Sequence, residues 1–164
     1  MPVTEDPYRR EVVMARVGHL IRRKQQEVEK ITRIVRACFD PGPMGGRITQ
    51  ILLIGPYARR TWYEDAESIC FSDYEFWVVV DEPAATHERH WYEAERIIER
   101  ELGRACAVTL QILSRADVTA ARIGRDHFIL DRIEAGITLH EAERDAPLTE
   151  REATWWQRKG RRHG

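Results

Sequence analysis

Cysteine is scarce in this chain. The three present, Cys38, Cys70 and Cys106, are odd in number and widely spaced, which excludes a disulfide framework and a zinc knuckle. Long apolar runs are missing as well, and none approaches the roughly 20 residues that span a bilayer. Glu5, Asp6, Arg9 and Arg10 stand where a secretory leader needs its apolar stretch. A cytoplasmic protein without a membrane partner is expected. Net charge is nearly absent, at -1, so no overall field draws the molecule to nucleic acid or an anionic membrane, and any polyanion contact must be local. What is there is ordinary for a globular domain: 164 residues, 43% hydrophobic and 32% charged, enough for one core.

From Thr4 to about Phe39, apolar residues recur as Val13, Val17, Leu20, Ile21, Val28, Ile31, Val35 and Cys38, mostly three or four apart. That spacing predicts a long amphipathic helix, or two with a break at Gly18. Thr4 is a candidate cap with Pro7 in the first turn, and Asp40-Pro41-Gly42-Pro43 ends the segment. Arg47 to Ile54 reads as a strand buried on both faces, and Asp73 to Asp81, with Phe76, Trp77 and three valines, as the central strand. Thr86 is a candidate cap for a helix from about His87 to Leu102 with Trp91, Ala94, Ile98 and Leu102 on one stripe. Ala105 to Leu113 alternates as a strand with one apolar face. Helices near Ala116 to Ile123 and Asp126 to Glu134 follow, then a short strand from Ile137 to His140. This order predicts an α/β or α+β fold, a small mixed sheet flanked by helices. The chain divides into an N-terminal helical segment (1–46), a central domain (47–142) and a polar, basic tail (143–164).

The chemistry-bearing stretch reads ILLIGPYARRTWYEDAESICFSDYEFWVVV. A hydrophobic strand ends in a glycine turn that opens a short helix, and a second strand begins with carboxylates at alternate positions. Glycine lets backbone approach a phosphate, and a helix start offers N–H groups to an anion. Strand alternation puts Asp73 and Glu75 on one side, roughly 6 to 7 Å apart, a pair able to share divalent cations.

These residues resemble the nucleotidyltransferase superfamily, the DNA polymerase β-like fold, in particular bacterial minimal nucleotidyltransferases often joined to a HEPN domain. That family has a hydrophobic strand, a Gly-Ser-x-Ala-Arg-Gly turn and Asp-x-Asp opening a strand; here the turn is Gly55-Pro56-Tyr57-Ala58-Arg59-Arg60 and the carboxylates are Asp73 and Glu75. The likeness covers roughly Arg47 to Glu141. It implies Mg²⁺-dependent transfer of a nucleotide monophosphate from a nucleoside triphosphate, ATP first among them, to a hydroxyl on a protein or nucleic acid. In antitoxin members the acceptor can be a partner protein. By the same resemblance Asp73 and Glu75 would hold metal, and Gly55, Pro56, Tyr57, Arg59 and Arg60 the phosphates. A HEPN-type partner and self-association are both compatible with it.

Three departures stand out. Pro56 replaces the family's serine, removing a hydroxyl and an N–H. Arg60 replaces the second glycine, either obstructing the turn or supplying a cation. Thr109 and Gln111 occupy the neighbouring-strand positions where many members carry a third carboxylate. A catalytically silent, antitoxin-like or regulatory protein is therefore the alternative. Other features have plainer readings. His87 and His90, three apart beside Glu88 and Glu93, read as solvated helix surface rather than a zinc site. The Arg22-Arg23-Lys24 run reads as the charged side of a helix, and Trp155-Trp156 with its basic followers as a terminus. Nucleic-acid binding through these segments is the less favoured reading.

Overall fold

A computed structural model describes residues 7–39, 47–59, 64–65, 70–71, 73–103 and 107–142. Thr4, Arg60, Trp62, Ser72, Cys106 and the segment with Trp155 and Trp156 lie outside the described residues.

The long N-terminal helix resolves into two, α1 (Pro7–Arg16) and α2 (Arg22–Phe39). Between them Gly18 N–H donates to the Ala15 carbonyl at 3.2 Å and Leu20 N–H to the Val17 carbonyl at 3.0 Å. Glycine weakens a helix interior, and breaking here lets both Val17 and Leu20 enter the core. The strands are β1 (Ile48–Ile54), β2 (Glu64–Asp65), β3 (Cys70–Phe71), β4 (Tyr74–Val80), β5 (Val108–Ser114) and β6 (Ile137–Glu141). Four of them form one mixed sheet in the order β5-β4-β1-β6. β1 runs antiparallel to both β4 and β6, whereas β4 and β5 are parallel. β2 and β3 pair separately, between β1 and β4 in the chain. With its six α-helices among the described residues, the fold is α+β.

Position in the sheet explains the composition of each strand. β1 and β4 are central and covered on both sides over most of their length, so they are largely apolar, with Thr49, Gln50 and Glu75 the half-buried exceptions. β5 lies at an edge and alternates, with Val108, Leu110 and Ile112 half-buried and Thr109 and Gln111 exposed. On one side Ile51, Leu53, Phe76 and Val78 meet Val28, Ile31 and Val35 of α2 in the main core. On the other, Leu52, Ile54 and Trp77 meet Ile129 and Ile133 of α6 (His127–Ala135) in a smaller one. Gly136 lets α6 turn tightly into β6: a methyl group there would lie 2.5 Å from Ile54 Cδ1 and 3.3 Å from the Leu53 carbonyl. At the β6 edge, Arg16 Nη1 donates to the Thr138 and Leu139 carbonyls at 3.3 and 3.1 Å, which occupies acceptors that an edge strand otherwise offers to another chain.

The helix expected from His87 begins later. Thr86 donates its hydroxyl to the Pro83 carbonyl at 2.8 Å and closes a 3₁₀ turn instead of capping a helix. His87 caps a second 3₁₀ turn by accepting from Arg89 N–H at 3.3 Å, and α4 runs from Tyr92 to Leu102. The displacement follows from Trp91, whose buried indole N–H reaches back to the Ala85 carbonyl at 2.8 Å. Across the sheet, α5 (Arg115–Gly124) starts from Ser114, which with Asp117 forms a reciprocal capping box.

Candidate functional site

The site is built where β1 ends and β4 begins. Ile54 stands opposite Glu75 in the antiparallel register, so the residue after Ile54 meets the Glu75 side chain. That residue is Gly55, buried, with φ 76°. A methyl group on it would sit 3.1 Å from Glu75 Oε2 and 3.6 Å from Glu75 Cβ. Two demands thus converge on glycine, a left-handed backbone and room for a carboxylate. The other carboxylate oxygen, Oε1, accepts from Trp77 Nε1 at 3.1 Å. Pleating brings Glu75 and Trp77 to the same side of β4, away from Tyr74 and Phe76.

Gly55→Ala is accordingly expected to cost about 1–2 kcal/mol from the positive φ alone and to displace the Glu75 carboxylate. Urea unfolding would measure the first effect, and a change in Trp77 fluorescence the second. A stability change near zero would mean that the bend tolerates a side chain.

Asp73 is exposed, one residue ahead of β4, and the following N–H, that of Tyr74, donates to the Ala107 carbonyl at 2.9 Å. On the parallel neighbour Glu75 is level with Thr109 and Trp77 with Gln111. Both partners are exposed, and neither offers an anionic oxygen. Among the described residues no group of three His, Cys, Asp or Glu side chains is placed to hold a metal ion. Two carboxylates nevertheless suit Mg²⁺, which retains waters and commonly takes only one or two protein carboxylates together with substrate phosphates.

The turn after Gly55 differs from the phosphate cradle expected from the sequence. α3 spans only Pro56–Arg59. The N–H groups of Ala58 and Arg59 both donate to the Gly55 carbonyl at 3.1 Å, so they are committed within the turn. Pro56 has no N–H to give. Tyr57 is fully buried, and its ring stacks on Tyr74 with centroids 4.2 Å apart; it supports the bend and does not reach a ligand with its side chain. Arg59 is exposed at the end of the turn, its guanidinium available to an anion.

The support beneath this bend was not visible in the sequence. Lys24, read as part of a solvated basic run, is 4% exposed. Its ammonium lies 5.4 Å from the ring centroids of both Tyr57 and Tyr74 and 3.3 Å from Glu27 Oε2. Tyr74 Oη donates to the same Glu27 oxygen at 2.5 Å. His19 Nε2 lies 2.6 Å from the Tyr57 carbonyl. The α1–α2 corner thereby grips the Tyr57–Tyr74 pair, which brackets the Gly55 bend and the start of β4. Only the i, i+3 spacing of Lys24 and Glu27 hinted at their pairing.

The remaining candidates stay apart from this site. His87 and His90 are 6.2 Å apart edge to face, with the His87 nitrogen Nδ1 already serving as a cap. Cys38 is half-buried, and burial followed by the nearby Glu93 carboxylate raises its thiol above the ordinary value, which disfavours the nucleophilic thiolate. No helix among the described residues is long and apolar enough to cross a membrane. No protein-family model, no curated protein and no solved structure matches this chain significantly.

Proposed function

We propose that the chain is a nucleotidyltransferase-like domain that binds a nucleoside triphosphate, ATP first among candidates, with Mg²⁺, and moves the nucleotide monophosphate to a hydroxyl of a protein or nucleic acid. The observation that carries this reading is the Glu75 carboxylate seated against the positive-φ Gly55. Asp73 stands two residues earlier and Arg59 is exposed at the end of the same turn. Asp73 and Glu75 would hold the metal, which when bound offsets phosphate charge and favours a deprotonated acceptor hydroxyl. Arg59 adds to the part that turn N–H groups play elsewhere, because those of Ala58 and Arg59 are committed to the Gly55 carbonyl. Trp77 holds one carboxylate oxygen of Glu75 and so fixes the direction of the other.

A second reading has its own support. The closed turn, the missing N–H of Pro56 and the uncharged Thr109 and Gln111 beside Glu75 suit a protein that has lost catalysis and works by binding, in the manner of an antitoxin or a regulatory subunit. Incubation with α-labelled ATP, Mg²⁺ and a cell extract as the source of acceptor separates the two. Label covalently retained on protein or nucleic acid is the expected result. Heat of ATP–Mg²⁺ binding without transfer would favour the second reading, and neither heat nor label would remove the nucleotide from both.

A further inference from the structure

The opposite end of the sheet, where β1 starts and β4 finishes, carries a cleft of about 200 Å³. Along seven-residue β1 it lies roughly 20 Å from the Gly55 bend, so it is a separate site. One wall is α5. Arg115, Val118, Thr119 and Arg122 all line the cleft from this helix, and their spacing is that of a single helical face. Arg47 enters from the start of β1, and Val79 supplies apolar floor.

The backbone is irregular at this point. Ile48 opposes Val80 and Gln50 opposes Val79, so β1 carries one residue more than β4 over the step. Such a bulge re-aims the side chains beside it. The extra residue, Thr49, donates its hydroxyl to the Val79 carbonyl at 3.1 Å and, like Gln50, lines the cleft.

We infer that this cleft binds the phosphoryl end of a small phosphorylated molecule, one or two phosphate groups in size, through Arg47, Arg115 and Arg122. Among the described residues that line the cleft, Arg47, Arg115 and Arg122 bring guanidinium groups and Glu141 the one carboxylate. Arg115 and Arg122 are exposed and sit two helical turns apart, about 10 Å along the axis. The planar guanidinium fork matches phosphate oxygens two at a time. Pockets for whole drug-sized ligands run from about 300 Å³ upward; at about 200 Å³ the cleft takes a phosphate or diphosphate and leaves the rest of the ligand outside. The same phosphate chemistry occurs in a nucleic-acid backbone, so the test must tell the two sources apart.

Inorganic pyrophosphate is titrated calorimetrically, in the presence of a metal chelator so that the metal-dependent Gly55 site stays silent, into the wild-type chain and into the Arg115→Gln/Arg122→Gln double variant, and a short single-stranded oligonucleotide is titrated in parallel. Saturable pyrophosphate binding is expected in the wild type, weakened at least about tenfold in the double variant, since each charge-assisted bond is worth that order. Both arginines are exposed, and circular dichroism checks that the double variant is folded. Absence of pyrophosphate binding overturns the inference, as does equal binding by the double variant, which would move the anion elsewhere on the chain. Binding of the oligonucleotide but not of pyrophosphate, lost in the double variant, would also overturn it and assign the cleft to a nucleic-acid backbone.

Discussion

Trp91→Ala is expected to lower the stability of the fold by about 3–5 kcal/mol, the range for deleting a large aromatic from a packed interior. The side chain is 1% exposed. Its ring stacks on Phe39 at the end of α2, with centroids 4.3 Å apart and planes 19° from parallel. Its indole N–H donates to the Ala85 carbonyl at 2.8 Å. Truncation therefore opens a cavity between two helices and leaves a buried carbonyl without its donor. Trp91→Phe keeps a ring against Phe39 and loses the hydrogen bond, so it should cost about 1–2 kcal/mol, near the penalty for one unsatisfied buried group. Urea midpoints at constant slope give both values. A loss below about 1 kcal/mol for the alanine variant would show that α4 does not dock on α2 through this residue.

The same residue shows where sequence reading succeeds and where it stops. The stripe of Trp91, Ala94, Ile98 and Leu102 follows from helical spacing; the first three are buried and Leu102 is half-buried. The start of α4 does not follow, because the candidate cap Thr86 closes a 3₁₀ turn, His87 caps a second one, and α4 opens only after Trp91. The buried Trp91 indole, donating back to the Ala85 carbonyl, holds the chain in those turns, a tertiary demand that overrides local preference. Likewise β1, β4 and β5 are legible from apolar runs and alternation, and the half-buried and exposed sides of β5 fall as the pattern predicts. Sheet order is not legible, because the pairing of β1 with β4 and β6, distant in sequence, is written in neither strand's own pattern. Lys24 is the sharpest departure. Its neighbours Arg22 and Arg23 are exposed, as a basic run predicts, while Lys24 is buried. The reason lies in Tyr57 and Tyr74, 33 and 50 positions further along the chain. A lysine tolerates burial only where a carboxylate and aromatic faces receive it, and no local pattern announces that they will.

For the candidate site, the sequence named the glycine bend and the carboxylates, and the antiparallel pairing of Ile54 with Glu75 brings Gly55 and Glu75 together. It also pointed to the turn as a row of free donors, and there the geometry differs. Pro56 has no N–H to offer, and the N–H groups of Ala58 and Arg59 close on the Gly55 carbonyl. The hydrogen bond from Trp77 was equally hidden, although residues two apart on a strand share a side; nothing in the pattern says that an indole buried in the smaller core will also give its N–H to a carboxylate.

That hydrogen bond makes the carboxylates the sharpest place to test the proposed transfer. Glu75→Gln keeps the shape of the side chain, its packing against Gly55 and an amide oxygen able to accept from Trp77, and removes only the charge. Asp73→Ala changes an exposed residue, so its effect on stability should stay within about 0.5 kcal/mol. Each is expected to lower incorporation of label from α-labelled ATP by at least about a hundredfold. Electrostatic contacts that act on developing charge are worth about that much individually, and a two-carboxylate metal site has no spare ligand. Trp77→Phe keeps both carboxylates and a ring in the smaller core and removes the N–H that orients Glu75, so, measured on protein shown to be folded, a loss of about 10- to 100-fold is expected, the range for partners that orient a metal ligand. The ranking matters more than any single value. Retention of full incorporation by Asp73→Ala or Glu75→Gln, with wild-type unfolding midpoints, would show that these carboxylates do not carry the reaction. A Trp77→Phe loss exceeding both would show that the indole, and not the charge it holds in place, dominates the site.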